Sequence, residues 1–230
     1  MFDGRWRTQS DRILQPIGVS LKRAGLTADQ LTIAGLVLSG VAAVLIGVGE
    51  LRWGVAALVA AALTDVLDGS VAKAAGTAGP RGAFFDSVAD RVSDSLLLGG
   101  LAWYFVGAHS GRTSLLPVAV LAASFIVSYE RAKAESLGFT ARGGVMERME
   151  RIVVLAVGLF FEPILITVLW LMLGLTLFTV VQRFFRVWGQ ATEASGSIPD
   201  VGRWQLGRWR GRRIARPTAR TLRRRSASRR

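Results

Sequence analysis

The sequence has no cysteine, one histidine (His109), two tyrosines, and only 16 acidic residues against 29 basic ones. Without cysteine there are no disulfides and no thiolate chemistry, and redox compartment cannot be read from that absence. No zinc-ligand spacing and no Ser/His/Asp pattern is present, and His109 reads as a solvated loop residue. No internal repeat and no second folded domain is evident. What is abundant is apolar: 51% of residues are hydrophobic and the mean hydropathy is +0.39, yet the net charge is +13. Soluble domains rarely combine these properties. A polytopic membrane protein with basic cytoplasmic edges does.

The hydrophobic pattern divides the chain into 1–26, 27–189 and 190–230. Residues 1–26 do not read as a signal peptide, because Arg5, Arg7, Arg12, Lys22 and Arg23 interrupt them and no short apolar run meets a cleavage site. Ile13, Leu14, Ile17 and Leu21 recur at helical spacing, which suits an amphipathic helix at the membrane surface or one packed on protein. Thr27 or Asp29 then caps a first apolar run, Leu31 to Gly49. Further spans are expected at Trp53–Leu67, Ala83–Ala108, Leu115–Leu137, Ile152–Phe161 (extended back through Val145) and Ile164–Val187. The predicted fold is all-α: six transmembrane helices preceded by the amphipathic surface helix. Of the 29 basic residues only Arg52 and Arg112 fall in the loops after spans one and three. The positive-inside rule therefore places both termini in the cytoplasm of a multi-pass protein of the cell membrane.

Acidic residues are scarce, so their grouping stands out. Asp65 and Asp68 close the second predicted span, and Asp86 and Asp90 open the third. Spacings of three and four put each pair on one helix face. The break between them (Gly76, Gly79, Pro80, Gly82) lets the pairs converge. Converging carboxylates repel unless cations hold them, and hard oxygen ligands select Mg²⁺, Mn²⁺ or Ca²⁺. The alternative is two helix ends with solvated acids. Ionisable groups in spanning segments cost about 2.5–3.5 kcal/mol each at the helix centre, which favours a function for them. Gly69 and Gly82 would let a phosphate or sugar approach the backbone.

The stretch D-V-L-D-G-S-V-A-K, eight residues, then G-A-F-F-D-S-V-A-D, resembles the signature of the CDP-alcohol phosphatidyltransferases. Asp65, Asp68, Gly69, Ala72, Gly82, Asp86 and Asp90 match it. Lys73 stands where the family usually has Arg, keeping the charge but losing the planar fork. The resemblance implies displacement of CMP from CDP-diacylglycerol by an alcohol at a centre of two Mg²⁺ ions, for which Mn²⁺ could substitute. It makes Asp65, Asp68, Asp86 and Asp90 the metal ligands, with Asp90 also the general base. Gly69, Ala72, Lys73 and Gly82 would line the cytidine diphosphate, with Asp29 and Thr32 matching a nucleotide-contacting stretch before the first span. Family members commonly form homodimers. Asp94 continues the series on the third span but lies outside the signature, and reads as a buried hydrogen-bonding residue.

The stretches S-Y-E-R-A-K-A-E-S-L-G, G-G-V-M-E-R-M-E-R and V-Q-R resemble the bacterial phosphatidylinositol-phosphate synthases, over about residues 12–188. That likeness implies inositol phosphate as acceptor, its phosphate held by Arg131, Lys133, Arg148, Arg151 and Arg183. Charge alone is better explained by positive-inside topology and anionic lipid headgroups than by a pocket. The neighbouring reading is a phosphatidylglycerophosphate synthase or another member of the family; a reading of a different class is a transporter with intramembrane carboxylates. From Gln190 the chain carries twelve arginines, no lysine, Trp204 and Trp209, and predicts a disordered tail that binds anionic lipid rather than nucleic acid.

Overall fold

The computed structural model describes residues 15–108, 112–141 and 143–196, and among these every regular element is helical. His109, Ile13, Leu14 and the arginines of the C-terminal stretch lie outside the described residues. Helix α1 covers 15–23, α2 Ala28–Gly47, α3 Leu51–Ala75, α4 Pro80–Ala108, α5 Leu115–Ser136, α6 Arg148–Phe160 and α7 Leu165–Gly196. Four segments are long and apolar enough to cross a membrane: Ala28–Gly47, Leu51–Ala75, Arg112–Ser136 and Glu162–Ala194. Helix α4 has 29 residues, about 44 Å, but Asp86, Asp90, Arg91 and Asp94 occupy its first half. Helix α6 has 13 residues, about 20 Å, against a hydrocarbon thickness of about 30 Å.

Local chemistry sets the boundaries. Thr27 and Gln30 form a capping box that starts α2: Gln30 N donates to Thr27 Oγ1 at 3.3 Å, and Thr27 N to Gln30 Oε1 at 3.0 Å. Helix α3 does not stop at the aspartates, as the sequence suggested, but runs on to Ala75. It ends where Gly76 adopts a left-handed φ of 69° that other residues resist. Helix α4 begins earlier than expected, at Pro80, a residue preorganised for a first helical turn. Both aspartate pairs therefore sit inside helices, where the backbone fixes their spacing, rather than at frayed ends. Helix α6 does not reach back to Val145. Gly143, at φ 85°, breaks the chain, and Thr179 Oγ1 accepts from Met146 N at 3.2 Å, holding this loop against α7.

Helix α2 packs along α3 and α4, α4 along α5, and α3 along α6. At the α2–α4 crossing the backbones nearly touch: a Cβ on Gly100 would lie 2.3 Å from the Ala43 carbonyl oxygen. Small residues at such crossings let apolar helices approach closely. The core, with Ile46, Leu58, Leu101, Phe105, Val120, Leu159, Leu169 and Met172, lies away from the aspartates. The outer faces are also apolar; Val37, Val44, Trp170, Leu171, Phe178 and Phe185 are all exposed. Helices that are hydrophobic all round belong in lipid. Helix α1 rests on the far end of α3, with Gly18 against the Ser70 carbonyl and Lys22 Nζ donating to Ala74 O at 3.0 Å. Its Ile17 is exposed and Leu21 partly buried.

The chain divides at Gln190 into two compact units. Of the second, residues 191–196 are described, as helix; the sequence had anticipated no helix after Gln190.

Candidate active site

Helices α3 and α4 present the aspartates to each other. One carboxylate oxygen from each of Asp65, Asp68 and Asp86 lies within 4.8 Å of the other two. Asp68 is buried and accepts from Thr32 Oγ1 of α2 at 2.7 Å, which orients the carboxylate without neutralising it. Three hard oxygen donors this close fit a divalent cation, since unscreened like charges would otherwise repel. Asp90 is not part of that triangle. Its Oδ1 lies 2.7 Å from Arg148 Nη1, which also donates to Asp65 Oδ2 at 2.6 Å, and its Oδ2 lies 3.4 Å from Arg91 Nη2. Arg148 of α6 thus bridges the two aspartate pairs.

Two clefts flank this cluster and meet at Ala83 and Asp86. The first, of about 570 Å³, is lined by Asp29, Thr32, Gly69, Ala72, Lys73 and Gly82, together with Asp68 and residues 77–81 at the α3–α4 junction. All six residues that the family resemblance proposed for the nucleotide stand around one space. A Cβ added at Gly69 or Gly82 would meet no protein atom within 4 Å. Packing therefore does not require glycine there, and a ligand lying close to the backbone would. Arg81, which the sequence reading passed over, lines the same cleft and pairs with Asp29 at 3.1 Å. Its position beside Pro80, at the start of α4, was the available signal.

The second cleft, of about 500 Å³, draws on four helices: Asp86, Asp90 and Arg91 from α4, Arg131 and Glu135 from α5, Arg148 and Arg151 from α6, and Arg183 from α7. Four of the five basic residues expected to bind an acceptor phosphate line it. Lys133 does not; it is exposed on α5, because its neighbour Ala134 faces the interior instead. Arg131 pairs with Glu135 at 3.0 Å. Arg183, 2% exposed, donates to the carbonyls of Val127 at 2.8 Å and Gly143 at 3.3 Å and lies 3.6 Å from Glu147. Arg151, 5% exposed, pairs with Asp94 at 2.9 Å. The Nε atoms of Arg91, Arg148 and Arg183 are buried without a hydrogen-bond partner among the described residues. Buried guanidinium N–H groups are costly to leave unpaired. Sequence reasoning missed Arg91, the residue immediately after the end of the signature at Asp90.

An aspartate cluster able to hold a metal ion thus lies between apolar helices, with a cleft on either side. The chain belongs to the CDP-alcohol phosphatidyltransferase family, whose sequence model matches residues 25–193, and is an enzyme of that class. Among its relatives is the phosphatidylinositol phosphate synthase of Mycobacteroides abscessus, 37% identical over 76% of this chain and 84% of that protein. The protein of that name from Corynebacterium glutamicum is 36% identical over 77% of this chain and 84% of its own length. The fold is shared with crystal structures of the Mycobacterium tuberculosis phosphatidylinositol phosphate synthase. One has CDP-DAG bound (TM-score 0.70, 34% identity, covering 77% of this chain and 94% of that one). Another is in complex with manganese and citrate (TM-score 0.71, 32% identity, covering 76% and 88%).

Proposed function

We propose that this enzyme transfers the phosphatidyl group of CDP-diacylglycerol to inositol phosphate, forming phosphatidylinositol phosphate and CMP. The observation that carries this reading is the second cleft, in which Arg131, Arg148, Arg151 and Arg183 surround a space that opens onto Asp86 and Asp90. An acceptor bearing its own phosphate needs such compensating charge, and arginine can bind phosphate bidentately. An uncharged alcohol would gain nothing from this concentration of positive charge.

The first cleft takes the CDP headgroup, with Gly69 and Gly82 admitting the diphosphate to the backbone and Lys73 and Arg81 supplying charge. The acceptor enters the second cleft with its hydroxyl toward Asp90. That hydroxyl oxygen forms a bond to the phosphorus carrying diacylglycerol while the bond from that phosphorus to the CMP oxygen breaks. Asp90 receives the hydroxyl proton. Asp65, Asp68, Asp86 and Asp90 would hold two Mg²⁺ ions, or Mn²⁺ in their place, whose charge would stabilise the developing negative charge of the displacement. Arg148, bonded to both Asp65 and Asp90, keeps the two aspartate pairs in register.

The proposed topology has six spans with the site and both termini in the cytoplasm of the cell membrane, α4 and the short α6 completing the set. Exposed Trp53, Trp103 and Trp170 lie toward the helix ends opposite the aspartates, whereas Phe84, Phe185 and Trp188 lie on the aspartate side. Two aromatic levels of this kind suit the two membrane interfaces. Helix α1 would lie along the cytoplasmic surface, the C-terminal arginines would contact anionic lipid, and the protein would act as a homodimer.

Turnover of CDP-diacylglycerol with Mg²⁺ and a panel of acceptors tests the assignment. Inositol phosphate should be preferred. Preference for glycerol 3-phosphate would make the chain a phosphatidylglycerophosphate synthase, and equal use of free inositol would remove the phosphate site.

A further inference from the structure

Asp94 stands one turn beyond Asp90 on α4, outside the family signature, and the reaction derived above makes no use of it. It is nonetheless 7% exposed and bracketed by two guanidiniums: Oδ2 accepts from Arg151 Nη2 at 2.9 Å, and Oδ1 lies 3.7 Å from Arg148 Nε. Among the described residues Asp94 is the only carboxylate paired with Arg151, whose other bond is a long one of 3.4 Å from Nη1 to Met146 O. Arg148 is meanwhile drawn toward Asp65 and Asp90 at 2.6 and 2.7 Å. A buried ion pair contributes little net stability over apolar packing of equal volume, so stability is a weak reason for one here. The pair also lies beside the cleft in which both arginines take part.

We infer that Asp94 is a positioning residue for acceptor binding. It fixes the Arg151 fork and counters the pull of Asp65 and Asp90 on Arg148, leaving the remaining N–H groups of both arginines available to the acceptor's phosphate. The inference rests on the reading of the second cleft as the acceptor-phosphate site. It differs from a simple charge effect in sign. Removing a negative charge raises the positive potential of the cleft, so a field effect alone would tighten binding of an anionic acceptor. Loss of positioning loosens it, because the fork no longer presents paired donors.

The test is steady-state kinetics of purified full-length protein with CDP-diacylglycerol and inositol phosphate, with thermal melting as the folding control. Asp94→Asn should raise the KM for inositol phosphate about tenfold and change that for CDP-diacylglycerol by less than about twofold. Asp94→Glu keeps the charge but displaces the carboxylate by one methylene, and should also raise the acceptor KM. An acceptor KM in Asp94→Asn that is unchanged or lower overturns the inference, as does a fall in kcat with both KM values unchanged. Where Asp94→Asn does not fold, Asp94→Glu decides, and a wild-type acceptor KM there overturns the inference. Arg151→Gln separates this from the underlying reading. If it leaves the acceptor KM unchanged, the phosphate-cleft assignment itself fails. If it raises the KM while Asp94→Asn does not, only the positioning role fails.

Discussion

The two clefts beside the aspartates are built on different principles. The first is made from residues close in sequence, on α3, α4 and the turn between them, with Asp29 and Thr32 of α2, and its floor is glycine and alanine. It offers backbone access and little side-chain reading. The second gathers side chains from α4 to α7, residues 83 to 183, and its walls are arginine and glutamate. A substrate part shared by all members of a family, the CDP group, can be served by a short contiguous motif. A part that distinguishes members has to be read by long side chains, which can change without disturbing that motif.

Substitutions can break this division. The largest effect is expected at the meeting point: Asp86→Asn should lower turnover about 10³-fold, equivalent to about 4 kcal/mol. Divalent-metal affinity measured by calorimetry should fall with it, and KM changes on only one side would contradict a shared position. Arg183→Ala should raise the acceptor KM about tenfold, from loss of one charge-assisted contact. Because it also frees the carbonyls of Val127 and Gly143, stability should drop by about 1–3 kcal/mol in thermal or denaturant melts. A stable variant with an altered KM would show that those carbonyls find other donors.

On the other side, Gly69→Ala should raise the KM for CDP-diacylglycerol about fivefold while leaving the acceptor KM alone. Its Cβ meets nothing in the protein, and alanine favours a helix over glycine by about 1 kcal/mol. The melting temperature should therefore stay level or rise as donor binding weakens. The smallest effect should follow deletion of residues 197–230. Turnover in detergent should stay within about twofold, and binding to anionic liposomes at low salt should weaken by about 1 kcal/mol per basic residue engaged. Lost turnover would place that stretch at one of the clefts.

The aspartate cluster and the residues around the first cleft were legible because helix periodicity turns spacing into geometry. Asp65 with Asp68 and Asp86 with Asp90 share faces whatever else the chain does, and a glycine-rich break of a few residues leaves little freedom in how the helices return. The apolar runs were legible for the same reason, since hydrophobic length needs no partner to be recognised. Boundaries were less so. Helices α3 and α4 continue past their aspartates because Gly76 and Pro80, not the change in polarity, decide where they stop and start. Helix α6 extends its apolar run back only to Arg148, not through Val145, because Gly143, Thr179 and Arg183 tie down the loop before it.

Partnership between distant side chains was not in the sequence at all. Nothing in the spacing says that Arg148 bridges Asp65 and Asp90, that Arg91 joins the second cleft, or that Lys133 stays out of it. These facts follow from the rotation of α5, α6 and α7 about their axes, which is set by core packing of residues such as Leu155, Leu159 and Leu169. The sequence by itself determined the membrane-spanning helical class and the grouping of the aspartates, which depend on local periodicity and composition. Only the tertiary structure decided which arginines line the second cleft and that Arg148 meets Asp65 and Arg151 meets Asp94, because those two contacts join residues more than fifty positions apart.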